Sequence, residues 1–112
     1  MISIQISEEI KSKCAGLQLG CIQCQVNVWS DYKDLLHQIS LELNQIQNQL
    51  AVEDIAKIPA IQSSRKGYKT LGKDPARYRL SAEALLRRVV KGKGLYRVNN
   101  VVDLLNLVSF KR

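Results

Sequence analysis

The spacing of apolar residues changes along this chain, and that change limits the folds it can adopt. Apolar residues recur at every second position in residues 2–6 and again within residues 17–29, which is the period of a β-strand. Further along, the spacing becomes three or four residues, the period of one helical face. This apolar stripe consists of Leu36, Ile39, Leu43, Ile46 and Leu50. The sequence therefore predicts two strands and a long helix that lies on their sheet, with coiled-coil pairing of the helix as the alternative.

The second predicted strand has two parts whose apolar residues differ in parity. From residue 22 onward apolar side chains alternate regularly with amides. The apolar positions in this part are Ile22, Cys24, Val26 and Val28. The earlier apolar residues, Leu17, Leu19 and Cys21, have the opposite parity. A β-bulge near Gly20 is expected to bring both sets to one face.

Capping residues and helix stops predict five helices. The expected N-caps are Ser7, Ser30 or Asp31, Ser81, and Asn99 or Asn100. Pro59 is expected in a first helical turn, and Gly72 and Gly92 are expected to end helices. The predicted helices span residues 8–13, 31–50, 59–72, 82–91 and 101–110. The last helix has apolar residues on nearly all sides, so we expect it to be buried on more than one face.

The length of 112 residues fits one domain, and a hydrophobic content of 46% is enough for a core. We therefore expect a single α/β domain over residues 1–112, built as a small mixed sheet covered by helices. No apolar run approaches the roughly 18–20 residues of a membrane span, and the N-terminus lacks the features of a signal peptide. A cytoplasmic protein with no membrane partner is expected.

The chain carries no motif that by itself specifies an enzyme, a metal site or a cofactor site. Cys21 and Cys24 form a C-x-x-C pair, but residues three apart on a strand face opposite ways, and no second pair completes a zinc site. Reduced, buried thiols are the favoured interpretation. His37 is the one histidine and has no second ligand or nucleophile nearby in the sequence. We expect no metal and no cofactor.

Charge is distributed unevenly between the two halves of the chain. Residues 1–56 have three lysines and seven acidic residues, a net charge of −4, whereas residues 57–112 have fourteen basic and three acidic residues, a net charge of +11. A half this basic favours a polyanionic partner such as RNA, and interleaved tyrosines can stack on unpaired bases. The alternative is a solvated helix face. The candidates for nucleic-acid contact are Arg65, Lys66, Lys69, Arg77, Arg79, Arg87, Arg88, Lys91 and Lys93.

Polar residues gather at the start of the last predicted helix. Asn100 and Asp103 have the spacing of a capping-box variant. Asn106 lies inside an apolar helix, where a buried amide must find hydrogen-bond partners. Two interpretations of Asn106 stay open: it bonds to the backbone, or it lines a pocket.

Residues 59–109 resemble the free-standing B3/4-domain proteins, which are relatives of the B3/4 module in the β subunit of phenylalanyl-tRNA synthetase. The resemblance rests on residues 59–75, residues 77–88 and the stretch from Gly94 to Asn106. It is most specific in the Asn-Asn-Val-Val-Asp-x-x-Asn run that begins at Asn99. Family members are longer than this chain, so the resemblance implies the N-terminal half of a B3/4 module that is incomplete at its C-terminus.

The resemblance also implies a function and a site. In the synthetase, the module edits by hydrolysing tyrosine mischarged onto the phenylalanine tRNA, in a pocket between its two halves. The resemblance implies that Asn99, Asp103 and Asn106 of this chain lie at or near the corresponding pocket. The synthetase uses an arginine just upstream, for which Arg97 is the nearest candidate. The four substrate-pocket candidates are therefore Arg97, Asn99, Asp103 and Asn106.

We expect an RNA-associated, synthetase-related protein whose ancestral activity is editing of aminoacyl-tRNA. Ester hydrolysis needs an activated water and stabilisation of an oxyanion. Asp103 is the one carboxylate near the candidate site, so no catalytic residue can be named, and weak or no activity is expected from this chain alone. The alternatives are a non-catalytic tRNA- or RNA-binding module and a domain that binds an aromatic amino acid.

A half-module leaves a sheet edge and a helix face uncovered. We therefore expect self-association into a homo-oligomer or partial disorder, unless a missing C-terminal half completes the module.

Overall fold

Irregular segments connect a series of helices in this protein. The computed structural model describes residues 2–110. Within that range the helices are α1 (Glu8–Lys13), α2 (Lys33–Gln49), α3 (Val52–Ile55), α4 (Pro59–Thr70), α5 (Ser81–Val90) and α6 (Asn100–Val108).

Local signals fix several helix ends as predicted. The Ser7 hydroxyl caps α1 by accepting a hydrogen bond from the backbone N–H of Ile10 at 3.4 Å. The Asn99 side chain caps α6 by accepting from the N–H of Val102 at 2.9 Å. Pro59 is the first residue of α4. These three predictions are confirmed. Each could be made from the sequence because it depends only on residues within one turn of the helix end.

Gly72 and Gly92 follow α4 and α5 at φ values of 79° and 78°. A positive φ of this size carries a steric penalty for any residue with a Cβ. Both glycines therefore end their helices as predicted.

Two predicted N-caps are wrong. α2 begins at Lys33, preceded by Tyr32, and no side chain among the described residues caps it; neither Ser30 nor Asp31 does so. α5 begins at Ser81 itself, again without a side-chain cap. The short helix α3 has no counterpart among the predicted helices.

The prediction of an α/β fold with a small mixed sheet is also wrong. In the part of the chain that the structure describes, residues 2–6 and 17–29 form no strand. A strand requires a backbone ladder to a neighbour, whereas the two segments meet here through a side chain. The N–H of Ile2 donates to Oε1 of Gln23 at 2.7 Å. The predicted bulge near Gly20 therefore has no ladder to interrupt.

All residues from 21 to 30 are exposed. Cys21 and Cys24 are exposed free thiols, and Cys14 is a half-buried one. The expected burial is wrong for Cys21 and Cys24, because the sheet that was to cover them is not formed.

The core lies between helices rather than on a sheet. α2 packs against α5 and α6, and α3 packs against α5. The apolar stripe of α2 faces this core, with Ile39 and Ile46 buried. The long helix therefore lies on other helices. The buried core residues that pack together are Ile46, Ile55, Ile58, Ile61, Leu86, Val89 and Phe110.

Helix α6 is buried on one side only. Asp103 and Leu107 are buried, but Leu104, Leu105 and Val108 are exposed by 49%, 64% and 55%. The expectation that several faces of this helix are covered is therefore not met.

The molecule is flat. Its principal dimensions are 45 × 39 × 20 Å and its radius of gyration is 16.1 Å, larger than the roughly 13 Å expected for a compact domain of this length. No helix within residues 2–110 is long and apolar enough to cross a membrane.

Candidate functional site

A cavity of about 320 Å³ lies between α2 and the segment that leads into α6. Its apolar wall comes from the stripe of α2 and from the segment before α6. The apolar lining residues are Leu36, Ile39, Leu43 and Leu95. The polar residues at the cavity are Ser40, Tyr96, Arg97, Asp103 and Asn106. Three of the four predicted pocket residues therefore line one cavity.

The fourth candidate, Asn99, is not among the residues that line this cavity. Its side-chain oxygen is used in the N-cap of α6. Asn106 is half-buried and lies among the residues that line the cavity.

Asp103 is held in place by two hydrogen bonds. Its Oδ1 accepts from the backbone N–H of Val98 at 3.1 Å, and its Oδ2 accepts from the hydroxyl of Tyr32. Only 4% of its surface is exposed. The carboxylate therefore positions the segment before α6 and the start of α2. The capping box predicted for Asn100 and Asp103 is therefore wrong: Asn99 is the N-cap of α6, and the Asp103 oxygens accept from Val98 and Tyr32 instead.

The same contact changes the acidity of Tyr32. The hydrogen bond to Asp103 raises the pKa of Tyr32 above its ordinary value, and desolvation and the charge of Asp103 act in the same direction. The guanidinium of Arg97 acts on Tyr32 in the opposite direction. Tyr32, Arg97 and Asp103 thus form one interacting group at the edge of the cavity.

Tyr96 projects beside this group. Its surface is 67% exposed, and the guanidinium carbon of Arg88 lies 4.2 Å from the centre of its ring. At that distance the cation and the ring attract each other. Arg88 is half-buried, and its Nε has no hydrogen-bond partner within residues 2–110. Arg88 therefore supports the cavity rim through Tyr96.

Two of the arginines predicted to contact RNA instead pair with a buried carboxylate. Glu83 is fully buried, and its Oε1 accepts from Nη1 of Arg65 at 2.6 Å and from Nη2 of Arg87 at 3.3 Å. A buried carboxylate needs such partners. Arg65 therefore joins α4 to α5, whereas Arg87 pairs with Glu83 within α5.

The other predicted cations remain at the surface. They are Lys66, Lys69, Arg77, Arg79, Lys91 and Lys93. None of them forms an ion pair with another residue in the described range 2–110. Arg77 and Lys73 lie 5.4 Å and 5.0 Å from the ring centre of Tyr78. These exposed cations are the ones that an anionic partner can reach.

Sequence reasoning missed the α2 wall of the cavity, Tyr32 and the Glu83 cluster. The spacing of Glu83 and Arg87, four residues apart on one helix, is a readable signal for an ion pair. The partners Tyr32 and Arg65 left no such local signal, because both contacts join separate helices.

A larger groove of about 850 Å³ lies between α1 and α4. Among the predicted site residues it contains only Lys66. The α2–α6 cavity is therefore the better candidate site, since it brings separate predicted residues together.

Comparison with known proteins does not assign the chain to a family. A scan against protein-family models, a search of curated proteins and a search of solved structures each found no match. The resemblance to the B3/4 domain therefore stays a prediction from the residues.

Proposed function

We propose that this protein is a cytoplasmic, non-catalytic RNA-binding module that holds the amino-acid end of an aminoacyl-RNA in the α2–α6 cavity. The observation that carries the proposal is the placement of Arg97 and Asn106 beside an apolar wall. Such a lining suits a ligand with an apolar body and a polar carbonyl or carboxylate end.

The size of the cavity favours an amino acid over a nucleotide as its occupant. About 320 Å³ lies near the lower limit of the roughly 300–1,000 Å³ of small-molecule sites. The resemblance to a synthetase editing module supports an aminoacyl ester as the form in which that amino acid arrives.

Binding without cleavage follows from the state of Asp103. Ester hydrolysis needs a base that can take a proton from water. Both oxygens of Asp103 already accept hydrogen bonds, and within residues 2–110 no other carboxylate, histidine or thiol lines the cavity. Incubation with mischarged tRNA is therefore expected to release no amino acid above the uncatalysed rate. Rapid release that depends on the protein would contradict a non-catalytic role.

The RNA partner is supported by the exposed cations of the C-terminal half. We expect labelled tRNA to bind in fluorescence anisotropy, with an affinity that falls steeply with salt because bound cations release counterions. Lys91→Ala with Lys93→Ala is expected to weaken binding and to reduce the salt slope by about two, one for each phosphate contact.

Lys11→Ala with Lys13→Ala is a matched control, because it removes two exposed lysines with the same spacing from the other half of the chain. Its affinity is expected to match that of the wild type. Equal losses in both double variants would show that net charge alone, and not the C-terminal half, determines binding.

The second candidate function is binding of a free aromatic amino acid without RNA. It is supported by the cavity lining, which combines an apolar wall with the polar side chains of Arg97 and Asn106. Phenylalanine or its methyl ester should raise the melting temperature, and Asn106→Leu should abolish that shift. A thermal shift together with absent tRNA binding at low salt would favour this second function.

A further inference from the structure

Residues 14–30 contain no charged side chain, although the chain as a whole has a net charge of +7. We call this stretch the neutral segment. Residues 21–30 of this segment are all exposed, and Ile22 is 92% exposed. An exposed row of apolar residues of this kind marks an interaction surface.

The backbone of the neutral segment is bonded only near its ends within the described range 2–110. At one end the N–H of Leu17 donates to the carbonyl of Cys14 at 3.1 Å. At the other end Asn100 makes three contacts with the segment. Its side-chain NH₂ group donates to the carbonyl of Asn27. Its side-chain oxygen accepts from the N–H of Trp29, and its backbone N–H donates to the carbonyl of Trp29.

These contacts leave one edge of the segment open. In an extended chain, the N–H and carbonyl groups of alternate residues point to opposite edges. Asn100 bonds to Asn27 and Trp29, which are odd-numbered. Within residues 2–110 the backbone groups of the even-numbered residues 22–28 form no hydrogen bond, so the edge that they form in an extended chain is available to pair with another strand.

We propose that the neutral segment of a second copy of this chain occupies that edge, in an antiparallel pair centred on Gln25. In this register apolar residues oppose apolar residues and amides oppose amides. The opposed pairs are Ile22 with Val28, Gln23 with Asn27, Cys24 with Val26, and Gln25 with itself. Moving the centre by one residue to Cys24 would place Val28 opposite Gly20 and lose an apolar pair.

Charge favours a second copy as the partner. Like charges directly opposite each other destabilise a strand pair, and edge strands are commonly protected from pairing by charged residues. The neutral segment has neither feature. A polyanion finds no cation to bind there, whereas an identical uncharged strand meets no repulsion, and its glutamines can bond across the pair.

Exposed apolar residues also occur on α6. Leu104 and Val108 lie four and eight residues after Asn100, so they share its face of α6, and both are about half exposed. A stable interface buries roughly 1,200–2,000 Å² in total. Because Asn100 holds α6 at the odd-numbered edge, away from the paired edge, the short segment pair is the proposed interface, and we expect a weak dimer that forms at high protein concentration.

Cysteine cross-linking of the full-length chain tests the register. In a background with Cys14→Ser, Cys21→Ser and Cys24→Ser, Gln25→Cys is expected to form a disulfide-linked dimer under mild oxidation. Opposed residues of a non-hydrogen-bonded antiparallel pair have Cα atoms about 4.5 Å apart, within the range that a disulfide spans.

Gln23→Cys in the same background is the matched control, because Gln23 opposes Asn27 rather than itself. We expect it to cross-link on the order of ten times more slowly, as its two copies lie well beyond disulfide range. Equal rates at the two positions would overturn the proposed register, since a parallel pair or random collision treats both alike.

Charge substitution gives a second test that does not use cysteine. Gln25→Lys and Gln25→Glu should each sediment as monomers, because each places like charges opposite one another. An equal mixture of the two should restore the dimer. A wild-type chain that sediments as a monomer at every accessible concentration would overturn the proposal and leave the edge to a different partner.

Discussion

Tyr32 donates the hydrogen bond of its hydroxyl to Oδ2 of Asp103, which lies 71 residues further along the chain. Tyr32 immediately precedes α2, and Asp103 lies in the first turn of α6. One bond therefore joins the beginnings of the two helices that enclose the candidate cavity. It also keeps the Asp103 carboxylate engaged, which is why the cavity is proposed to bind rather than to hydrolyse.

Tyr32→Phe is expected to lower the free energy of unfolding at neutral pH, because buried Asp103 loses a donor. The pKa of Tyr32 is raised in the folded state, so the stabilisation is fully present below the unfolded pKa of about 10. It is lost as the pH rises through the folded pKa. Urea unfolding at neutral and at alkaline pH should therefore show a difference between wild type and variant that shrinks above about pH 10. A difference that widens there would contradict the bond.

Glu83→Ala is expected to destabilise the fold by about 3–5 kcal/mol, because it leaves the guanidinium groups of Arg65 and Arg87 without their carboxylate. Replacing all three residues by apolar ones of similar size should cost far less, since no charge is then left unpaired. Chemical denaturation measures both variants. If the triple variant is as unstable as Glu83→Ala, the packing of these side chains matters more than their pairing.

Asn100→Ala is expected to release the end of the neutral segment with a stability loss of about 1 kcal/mol, because its bonds to Asn27 and Trp29 are exposed. Trp29 is the single tryptophan of the chain, so its fluorescence anisotropy reports the release directly. Asn99→Ala is the control: it removes the cap of α6 and should cost about 0.5–2 kcal/mol with little change in Trp29 anisotropy. An unchanged anisotropy in Asn100→Ala would argue against a role of Asn100 in holding Trp29.

Ile55→Ala is expected to cost about 2–5 kcal/mol, because Ile55 is fully buried in the core. Ile22→Ala is the matched substitution at a site that is 92% exposed. Measured at a protein concentration where the chain is monomeric, it should change the free energy of unfolding by less than about 0.5 kcal/mol. Similar losses for the two variants would mean that the neutral segment is part of the folded core.

The helices were predictable where the signal is local. Ser7, Asn99 and Pro59 mark helix starts through groups that lie within one turn, and the α2 stripe is long enough to identify both a helix and its buried face. The α2 N-cap was not predictable in this way. Tyr32 has no capping side chain of its own, and its hydroxyl is bonded to distant Asp103.

The sheet could not be judged from alternation. The period of residues 22–28 describes an extended chain with two different faces, whereas in the structure these residues are exposed and form no regular secondary structure. Whether such a chain becomes a strand depends on a partner elsewhere in the fold or in another molecule. The alternation of apolar and polar residues does not identify that partner.

The candidate cavity was half predictable. Arg97, Asp103 and Asn106 lie within ten residues of one another, so one helix start brings them together. The opposite wall depends on how α2 packs across α6. Such packing is determined by the fit of side-chain ridges and grooves on the two helices, which the spacing of apolar residues in the sequence does not give.

The flat shape has a thermodynamic consequence. A molecule only 20 Å across its shortest dimension, with a long exposed segment, shields less apolar surface than a compact domain of equal length. Heat capacity changes on unfolding scale with newly hydrated apolar surface. Calorimetry of the monomer should accordingly give a heat-capacity change of unfolding below the usual value of about 12–15 cal/mol/K per residue. The free energy of unfolding should then vary with temperature along a flatter curve than that of a compact domain.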